Sequence, residues 1–153
     1  LKKEGLTKSI GVSNFQIIHL QYLATKANEM PVVNQVELHP RLTQKPLLKY
    51  DQEHQIVTQA WSPLGRGAVL NIPELKEIAE KHGKSTAQII LRWHLQNGVS
   101  FIPKSVHSER IQQNADIYDF SLSTEEMKKI DDLNQYARTG REPELTYEYN
   151  HQY

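Results

Sequence analysis

Apolar residues follow two alternating patterns along this chain: short continuous runs, and positions spaced three to four residues apart. The short runs are bounded by polar or turn-forming residues, which is typical of buried strands. They predict strands at residues 9–12, 32–36, 56–60 and 99–102. The spaced positions predict amphipathic helices between and after these strands, so we expect four strand-helix units with two extra helices.

Signals for helix starts support this division. Thr43 is expected to begin the second helix, with Pro46 in its first turn. Capping boxes at residues 85–88 and 123–126 predict two more starts, and helices are also predicted at 74–81 and in the segment that contains Ile111 and Ala115. Apolar residues at helical spacing mark the first and last helices: Ile17, Leu20, Leu23, Ala24 and Ala27, with an end at Asn28, and Met127, Ile130 and Leu133.

Strands that alternate with helices argue for an α/β fold in which helices cover a parallel sheet. A small open sheet is one possibility. A closed (β/α)8 TIM barrel needs ~250 residues, and this chain has 153, so we expect half of such a barrel, in one domain over residues 1–153. No G-x-G-x-x-G turn follows a predicted strand, which disfavours a doubly wound dinucleotide-binding fold.

The expected half barrel would have two uncovered sheet edges, which favours a partner that covers them. Either the other half of the barrel or a second copy of the chain would serve. The first residues, 1–4 followed by Gly5, resemble the end of a helix closed by glycine. This pattern predicts that further residues precede Leu1.

Composition limits the classes of partner. The chain carries 18 basic and 18 acidic residues, so neither nucleic acid nor an anionic membrane surface is an expected partner. No apolar run is long enough to cross a membrane. The absence of cysteine from the 153 residues fits a reducing compartment, and we expect a cytoplasmic protein. The seven histidines lack metal-ligand spacing, so no metal site is predicted.

The segment 102–110 carries candidate chemistry for binding an anion. Lys104 and Ser105 follow a short apolar run, and Arg110 lies in the first turn of the next predicted helix. Two cations, a hydroxyl and free helix N–H groups suit a phosphate monoester such as the ribose phosphate of NADP. A solvated basic loop beside a capped helix explains these residues equally well.

Polar or aromatic residues lie on or directly after each predicted strand, near the strand ends where barrels of this kind bind ligands. Amide and hydroxyl side chains recognise a carboxamide, and a tryptophan face stacks on a flat heteroaromatic ring. The residues concerned are Ser13 and Asn14, Asn34, Gln35, Glu37 and His39, Trp61 and Ser62, and Lys104 and Ser105. Taken singly, each is more simply explained as a helix cap, a satisfied polar group or a core side chain.

Three further features have competing explanations. His39 could border a substrate pocket, but a hydrogen-bonded structural histidine is favoured. The loop 62–73 is long enough to fold over a pyrophosphate, which we favour slightly over a plain connection. The tail 140–153 is either a cap over a carbonyl pocket or disordered, and the sequence favours neither.

Four segments occur in order along the chain: Ile10-Gly11-Val12-Ser13-Asn14-Phe15, Asn34-Gln35-Val36-Glu37-Leu38-His39-Pro40, Ala60-Trp61-Ser62-Pro63-Leu64 and Ile102-Pro103-Lys104-Ser105. Together they resemble the second half of the aldo-keto reductase family, and the small bacterial members most. The resemblance covers nearly the whole chain. It implies the C-terminal half of a (β/α)8 barrel that binds NADPH or NADP+.

The resemblance also implies a role for individual residues in binding that cofactor. Ser13, Asn14 and Gln35 would bind the carboxamide, and Trp61 would stack on the nicotinamide. Ser62 and Leu64 would contact the pyrophosphate. The ribose phosphate would be bound by Lys104, Ser105 and Arg110, with Val106 alongside, and the adenine would face Gln113 and Asn114.

The implied reaction is the reduction of a small aldehyde or ketone by hydride from NADPH, with a tyrosine supplying the proton. The catalytic aspartate, tyrosine, lysine and histidine of the family belong to the first half of its barrel. No catalytic residue is therefore predicted in this chain, which alone is expected to be inactive. A non-catalytic NADP(H)-binding regulatory module and a self-pairing half barrel remain alternatives.

Overall fold

The computed structural model describes residues 2–145. Four parallel strands form one sheet in sequence order: β1 (Gly11–Ser13), β2 (Val33–Glu37), β3 (Val57–Trp61) and β4 (Ser100–Phe101). Each connection between neighbouring strands passes through at least one helix. All carboxyl ends of the strands therefore lie along the same edge of the sheet.

The helices that lie wholly within residues 2–145 are α1 (Ile17–Ala24), α2 (Lys45–Glu53), α3 (Pro73–His82), α4 (Thr86–Gln96), α5 (Ser108–Ala115) and α6 (Thr124–Asp131). A short 3-10 turn, Gly65–Gly67, follows β3. Among residues 2–145, none of the helices combines the length and the apolar character that a membrane crossing requires.

The two faces of the sheet differ in burial. Val36 and Ala60 are buried against the helices, together with Leu20 of α1 and Trp93 of α4. Val57, which points to the opposite face, is 49% exposed. The core thus lies between the sheet and its helices, and the other face is open.

Two predicted helix starts are confirmed in atomic detail. Ser85 Oγ accepts a hydrogen bond from Gln88 N at 3.3 Å, and Gln88 Oε1 accepts one from Ser85 N at 2.9 Å. Ser123 and Glu126 make the same reciprocal pair at the start of α6. Each box satisfies N–H groups that a helix start would otherwise leave without partners.

Some boundaries differ from the prediction. The prediction that Thr43 begins the second helix was wrong: α2 starts at Lys45 after Gln44, and the Thr43 N–H donates to Asn134 Oδ1 at 3.2 Å. Helix α1 ends at Ala24 instead of reaching Asn28. The fourth strand has only two residues, although Ile102 N still donates to Ala60 O at 3.2 Å. Tertiary contacts, which local patterns do not contain, set these limits.

Candidate functional site

A row of polar residues crosses the sheet from the end of β1, through the middle of β2 and β3, to the start of β4. Ser13, Gln35, Gln59 and Ser100 are register partners on successive strands. Gln35 Nε2 donates to Gln59 Oε1 at 2.6 Å, and Gln59 Nε2 donates to Ser100 Oγ at 3.3 Å. Ser13 Oγ donates to the Gln35 carbonyl oxygen at 3.0 Å. The open face of the sheet therefore presents a connected series of amide and hydroxyl groups.

Asn14 joins this row to Trp61. Its backbone N–H donates to Gln35 O at 2.8 Å, and its Oδ1 accepts from Trp61 Nε1 at 2.8 Å. The residue has a φ of 60°, in the left-handed region that asparagine tolerates better than most residues. Asn14 is exposed and Trp61 is half-buried. The structure thus brings Ser13, Asn14, Gln35 and Trp61 together, as the sequence predicted.

Neither Ser13 nor Asn14 caps helix α1. The residue before that helix is Gln16, whose backbone N–H donates to His19 Nδ1 at 3.0 Å. Helix capping, the simpler explanation for Ser13 and Asn14, is therefore wrong. The Ser13 side chain instead donates to the backbone of β2, and the Asn14 side chain accepts from the indole of Trp61.

The loop after Trp61 is anchored to the core. Ser62 has a φ of 48°, and its carbonyl accepts from Gly65 N at 2.8 Å. Leu64 is half-buried against the core, while Val69 and Ile72 further along are buried in it. Ser62 and Leu64 accordingly lie beside Trp61 at the end of β3. Coverage of a pyrophosphate by this loop stays a prediction.

The predicted phosphate site is an open surface region at the start of α5. Ser105 Oγ accepts from His107 N at 3.1 Å, which shapes the turn before the helix. Lys104 and Arg110 are exposed, and within the described part of the chain neither has an ion-pair partner. Both cations are therefore available to an anion.

The neighbours of these cations are unequal in exposure. Val106 is 81% exposed, Gln113 is exposed, and Asn114 is half-buried. Glu109 also lies in the first turn of α5, so one carboxylate accompanies the cations. The structure places the predicted residues on one short segment, where Val106 and Arg110 line a shallow, open cavity together with residues 107–109.

Glu37 and His39 are buried next to the site. His39 Nε2 lies 3.2 Å from Glu37 Oε1, and the histidine is 1% exposed. Burial lowers the pKa of His39, although hydrogen bonding and charge attraction from Glu37 oppose this effect. A neutral, hydrogen-bonded His39 agrees with the structural role favoured from the sequence.

Glu37 was named among the strand-end residues, but the sequence assigned it no specific role. Its carboxylate accepts from Thr139 N at 2.6 Å, from the Thr139 hydroxyl, and from Gly140 N at 3.1 Å. Burial raises the pKa of Glu37, but these donors and His39 outweigh that effect and lower it. Its place in the second family segment was the available signal. Of the tail 140–153, residues 146–153 lie outside the described residues.

Four parallel βα units with polar and aromatic groups at their strand ends define the class of fold: part of a (β/α)8 barrel. The sequence model of the Aldo/keto reductase family matches residues 1–135. This chain belongs to the aldo/keto reductase family. The family and the barrel-type fold predicted from the sequence are thereby confirmed.

Relatives and a solved structure agree with this membership. The chain is 55% identical over 144 residues to the glyoxal reductase of Bacillus subtilis (strain 168), covering 94% of this chain and 52% of that protein. It is 47% identical over 146 residues to the methylglyoxal reductase DkgA of Escherichia coli (strain K12), covering 94% and 53%. The crystal structure of a Gox0644 mutant in complex with NADPH superposes with a TM-score of 0.90 at 44% identity, covering 94% and 53%.

The chain spans about half the length of the curated relatives that it matches. The individual cofactor contacts predicted for Ser13 to Asn114 stay predictions.

Proposed function

We propose that this chain is the C-terminal half of an NADPH-dependent reductase of small aldehydes and ketones. The observation that carries the proposal is the hydrogen bond between Trp61 Nε1 and Asn14 Oδ1 at 2.8 Å, beside Ser13 and Gln35. It fixes an aromatic ring next to amide and hydroxyl groups at adjoining strand ends. The relatives named for glyoxal and methylglyoxal reduction and the Gox0644 complex with NADPH support the same conclusion.

The residues at the strand ends suit a nicotinamide ring with its carboxamide. The hydroxyl of Ser13 and the amides of Asn14 and Gln35 offer both donors and acceptors to the carboxamide. The half-buried indole of Trp61 offers a stacking surface, and its bond to Asn14 limits rotation of the ring. When bound, NADPH supplies the hydride that reduces the carbonyl carbon. The role of this chain is to orient the ring that carries it.

The rest of the cofactor would lie along the same edge of the sheet. Ser62, Leu64 and nearby backbone groups would contact the pyrophosphate. The unpaired cations Lys104 and Arg110, with Ser105 and Val106, would contact the ribose phosphate through charge-assisted hydrogen bonds. We assign the adenine to Gln113 and Asn114, which follow on α5.

The proton donor and the rest of the substrate pocket would come from the other half of the barrel. Support comes from the open face of the sheet, where Val57 is 49% and Ile102 is 48% exposed. Apolar side chains on a central sheet favour a covering partner. The proposal includes a cytoplasmic location, which rests on the absence of cysteine from the 153 residues.

The test is steady-state oxidation of NADPH by the full-length protein with glyoxal and methylglyoxal, monitored by NADPH absorbance. We expect turnover with at least one of them, and much weaker turnover when NADH replaces NADPH. Binding of NADPH without turnover on a broad panel of aldehydes and ketones would contradict the reductase proposal. It would favour the regulatory, cofactor-sensing alternative.

A further inference from the structure

The segment that follows α6, residues 134–140, is bound to the turn after β2. His39 and Leu42 pair in an antiparallel bridge, which leaves the Arg41 carbonyl free to accept hydrogen bonds. Gln135 N and Ala137 N both donate to Arg41 O at 3.1 Å. At the start of the segment, Asn134 Oδ1 accepts from Thr43 N at 3.2 Å. The path of the segment is thus fixed before it reaches the edge of the sheet.

Glu37 holds the far end of this segment. Its carboxylate, 1% exposed, receives two backbone N–H groups and one hydroxyl from Thr139 and Gly140. Charge-assisted bonds of this kind are about twice as strong as bonds between neutral groups. Loss of the carboxylate would leave those donors without an equivalent acceptor in a buried place. Glu37 therefore determines where Gly140 lies.

Gly140 in turn lies against Trp61. A Cβ atom at position 140 would be 2.5 Å from Trp61 Cη2 and 3.3 Å from Cζ2, and 3.2 Å from Glu37 Oε2. Such a close approach is possible only for glycine. Glu37 and Trp61 are register partners on β2 and β3, so one carboxylate brings the backbone of residue 140 to the edge of the indole.

The indole of Trp61 is consequently fixed at two places. Asn14 binds its Nε1 atom, and Gly140 packs against Cζ2 and Cη2 of its benzo ring, on the same side of the indole as Nε1. Two neighbouring contacts along one edge of a planar ring limit both its rotation and its tilt. A ring that stacks on a cofactor needs this restriction, since small misplacements reduce hydride transfer strongly.

We propose that Glu37 is a positioning residue for the cofactor site, acting through Thr139 and Gly140 to set the orientation of Trp61. This inference rests on the proposed function in its assignment of Trp61 to the nicotinamide. Glu37 touches neither cofactor nor substrate in this scheme. Its contribution depends on the presence of the indole, which distinguishes it from a residue that only stabilises the fold.

The first experiment needs no cofactor. Acrylamide quenching of tryptophan emission is measured on the full-length protein for Glu37→Gln, Thr139→Val and Gly140→Ala, and the Trp61→Phe protein provides the signal of the other tryptophans. We expect Trp61 to become more accessible in all three variants. Thr139→Val and Gly140→Ala keep the carboxylate, so the test stands even if Glu37→Gln does not fold.

Glu126→Gln is the matched control. Glu126 is also a buried glutamate that accepts a backbone N–H, from Ser123 at 2.8 Å, but it caps α6 and makes no contact with Trp61. We expect this variant to lose stability without a change in Trp61 quenching. Equal quenching in wild type, Gly140→Ala and Thr139→Val would overturn the inference.

The second experiment is a double-mutant cycle between Glu37→Gln and Trp61→Phe, with single-turnover hydride transfer as the readout. We expect Glu37→Gln to slow transfer about 5- to 20-fold in the wild-type background and by less than about twofold in the Trp61→Phe background. Equal effects in both backgrounds would reject a positioning role. Absence of NADPH turnover in the wild type would refute the proposed function but not this inference. The quenching result would still decide whether Glu37 determines the orientation of Trp61.

Discussion

At the residue scale, the two cations beside α5 provide the sharpest test of cofactor choice. Lys104 and Arg110 are exposed and unpaired within the described residues, which leaves their charge available for a phosphate. Replacing either with alanine should weaken NADPH binding roughly 10- to 100-fold, the value of one charge-assisted hydrogen bond. NADH lacks the ribose phosphate, and its affinity should change little.

Titration calorimetry of the full-length protein with both cofactors measures this difference. Lys76→Ala, at an exposed lysine of α3 remote from α5 in sequence, is a suitable control. Equal losses for NADPH and NADH would contradict the ribose-phosphate assignment.

The two tryptophans allow a second comparison at this scale. Trp61 is half-buried at a strand end, whereas Trp93 is 0% exposed and donates to Asp131 Oδ1 at 2.9 Å. Trp61→Ala should lower NADPH affinity by about 1–2 kcal/mol through lost stacking. Trp93→Phe should lower the free energy of unfolding and leave affinity of the folded protein unchanged. Chemical denaturation and calorimetry on both variants separate the two roles, and reversed results would place the cofactor elsewhere.

Individual residues were predictable where a local motif marked them. Ser13, Asn14 and Trp61 lie at strand ends and Gln35 lies within β2, and hydrogen bonds connect the four residues. The bond between Asn14 and Trp61, 47 residues apart, depends on strand register and could not be deduced from either segment. The role of Gly140 was likewise hidden, because it depends on the path of the chain after α6.

At the element scale, the glutamate that caps the start of α6 makes the stability of the protein depend on pH. Glu126 is buried and accepts from Lys81 Nζ at 2.7 Å, Ser123 N at 2.8 Å and His82 Nε2 at 3.1 Å. Burial opposes ionisation, but these donors outweigh it and lower the pKa of Glu126 to about 2. A lowered folded-state pKa means that Glu126 stabilises the protein above its ordinary pKa of 4.5, and that this stabilisation is lost as the pH falls towards 2.

Glu126→Gln should therefore reduce the free energy of unfolding at neutral pH, on the order of 2 kcal/mol. The difference from wild type should shrink as the pH is lowered from about 5 to about 3, where the unfolded-state glutamate is protonated. Denaturant unfolding at several pH values measures this. Glu125→Gln, an exposed neighbour in the same turn, serves as the control. A difference that stays constant with pH would show that the carboxylate charge is not what stabilises α6.

Elements with strong local start signals were predicted well, and those without were not. Both capping boxes are present because their reciprocal bonds form within four residues. Helix α2 instead starts after Gln44, whose φ of 47° and bond from Nε2 to Glu37 O at 2.6 Å are tertiary features. The lengths of β1 and β4 were overestimated for a similar reason, since pairing partners decide where a strand ends, whereas β2 and β3 have the predicted length and are shifted by one residue.

At the scale of the whole molecule, the proposed other half of the barrel would cover the open face of the sheet. Val57 and Ile102 are about half exposed there, beside the amide row. If the rest of a barrel covers them, the purified natural protein should have an intact mass of roughly 30 kDa or more, as a closed barrel of ~250 residues requires. Mass spectrometry would decide this directly.

A measured mass near 17.7 kDa would contradict that proposal. Sedimentation should then detect a dimer that buries the open face, and a folded monomer would exclude the self-pairing alternative as well.

The general architecture followed from the order of strands and helices, but the substrate did not. The groups that would recognise a substrate lie on loops, and the sequences of such loops differ widely among proteins that share the same fold. The positions of the proposed cofactor-binding residues are more constrained, because the strands hold their side chains in place. The sequence thus predicted the barrel-type fold, whereas the cofactor contacts around Trp61 stay predictions and the substrate pocket is undefined.

The hydrogen bonds between residues 134–140 and the turn after β2 have a practical consequence for protein engineering. Arg41 O and Glu37 fix this segment up to Gly140, and Arg138 pairs with Glu142 at 2.8 Å, so the chain has a junction after Glu142. Grafting tails from other members of the family beyond that residue would keep the bonds that hold the segment against Trp61. In a library of such chimeras, only the C-terminal tail would differ, and the rest of the molecule would stay the same.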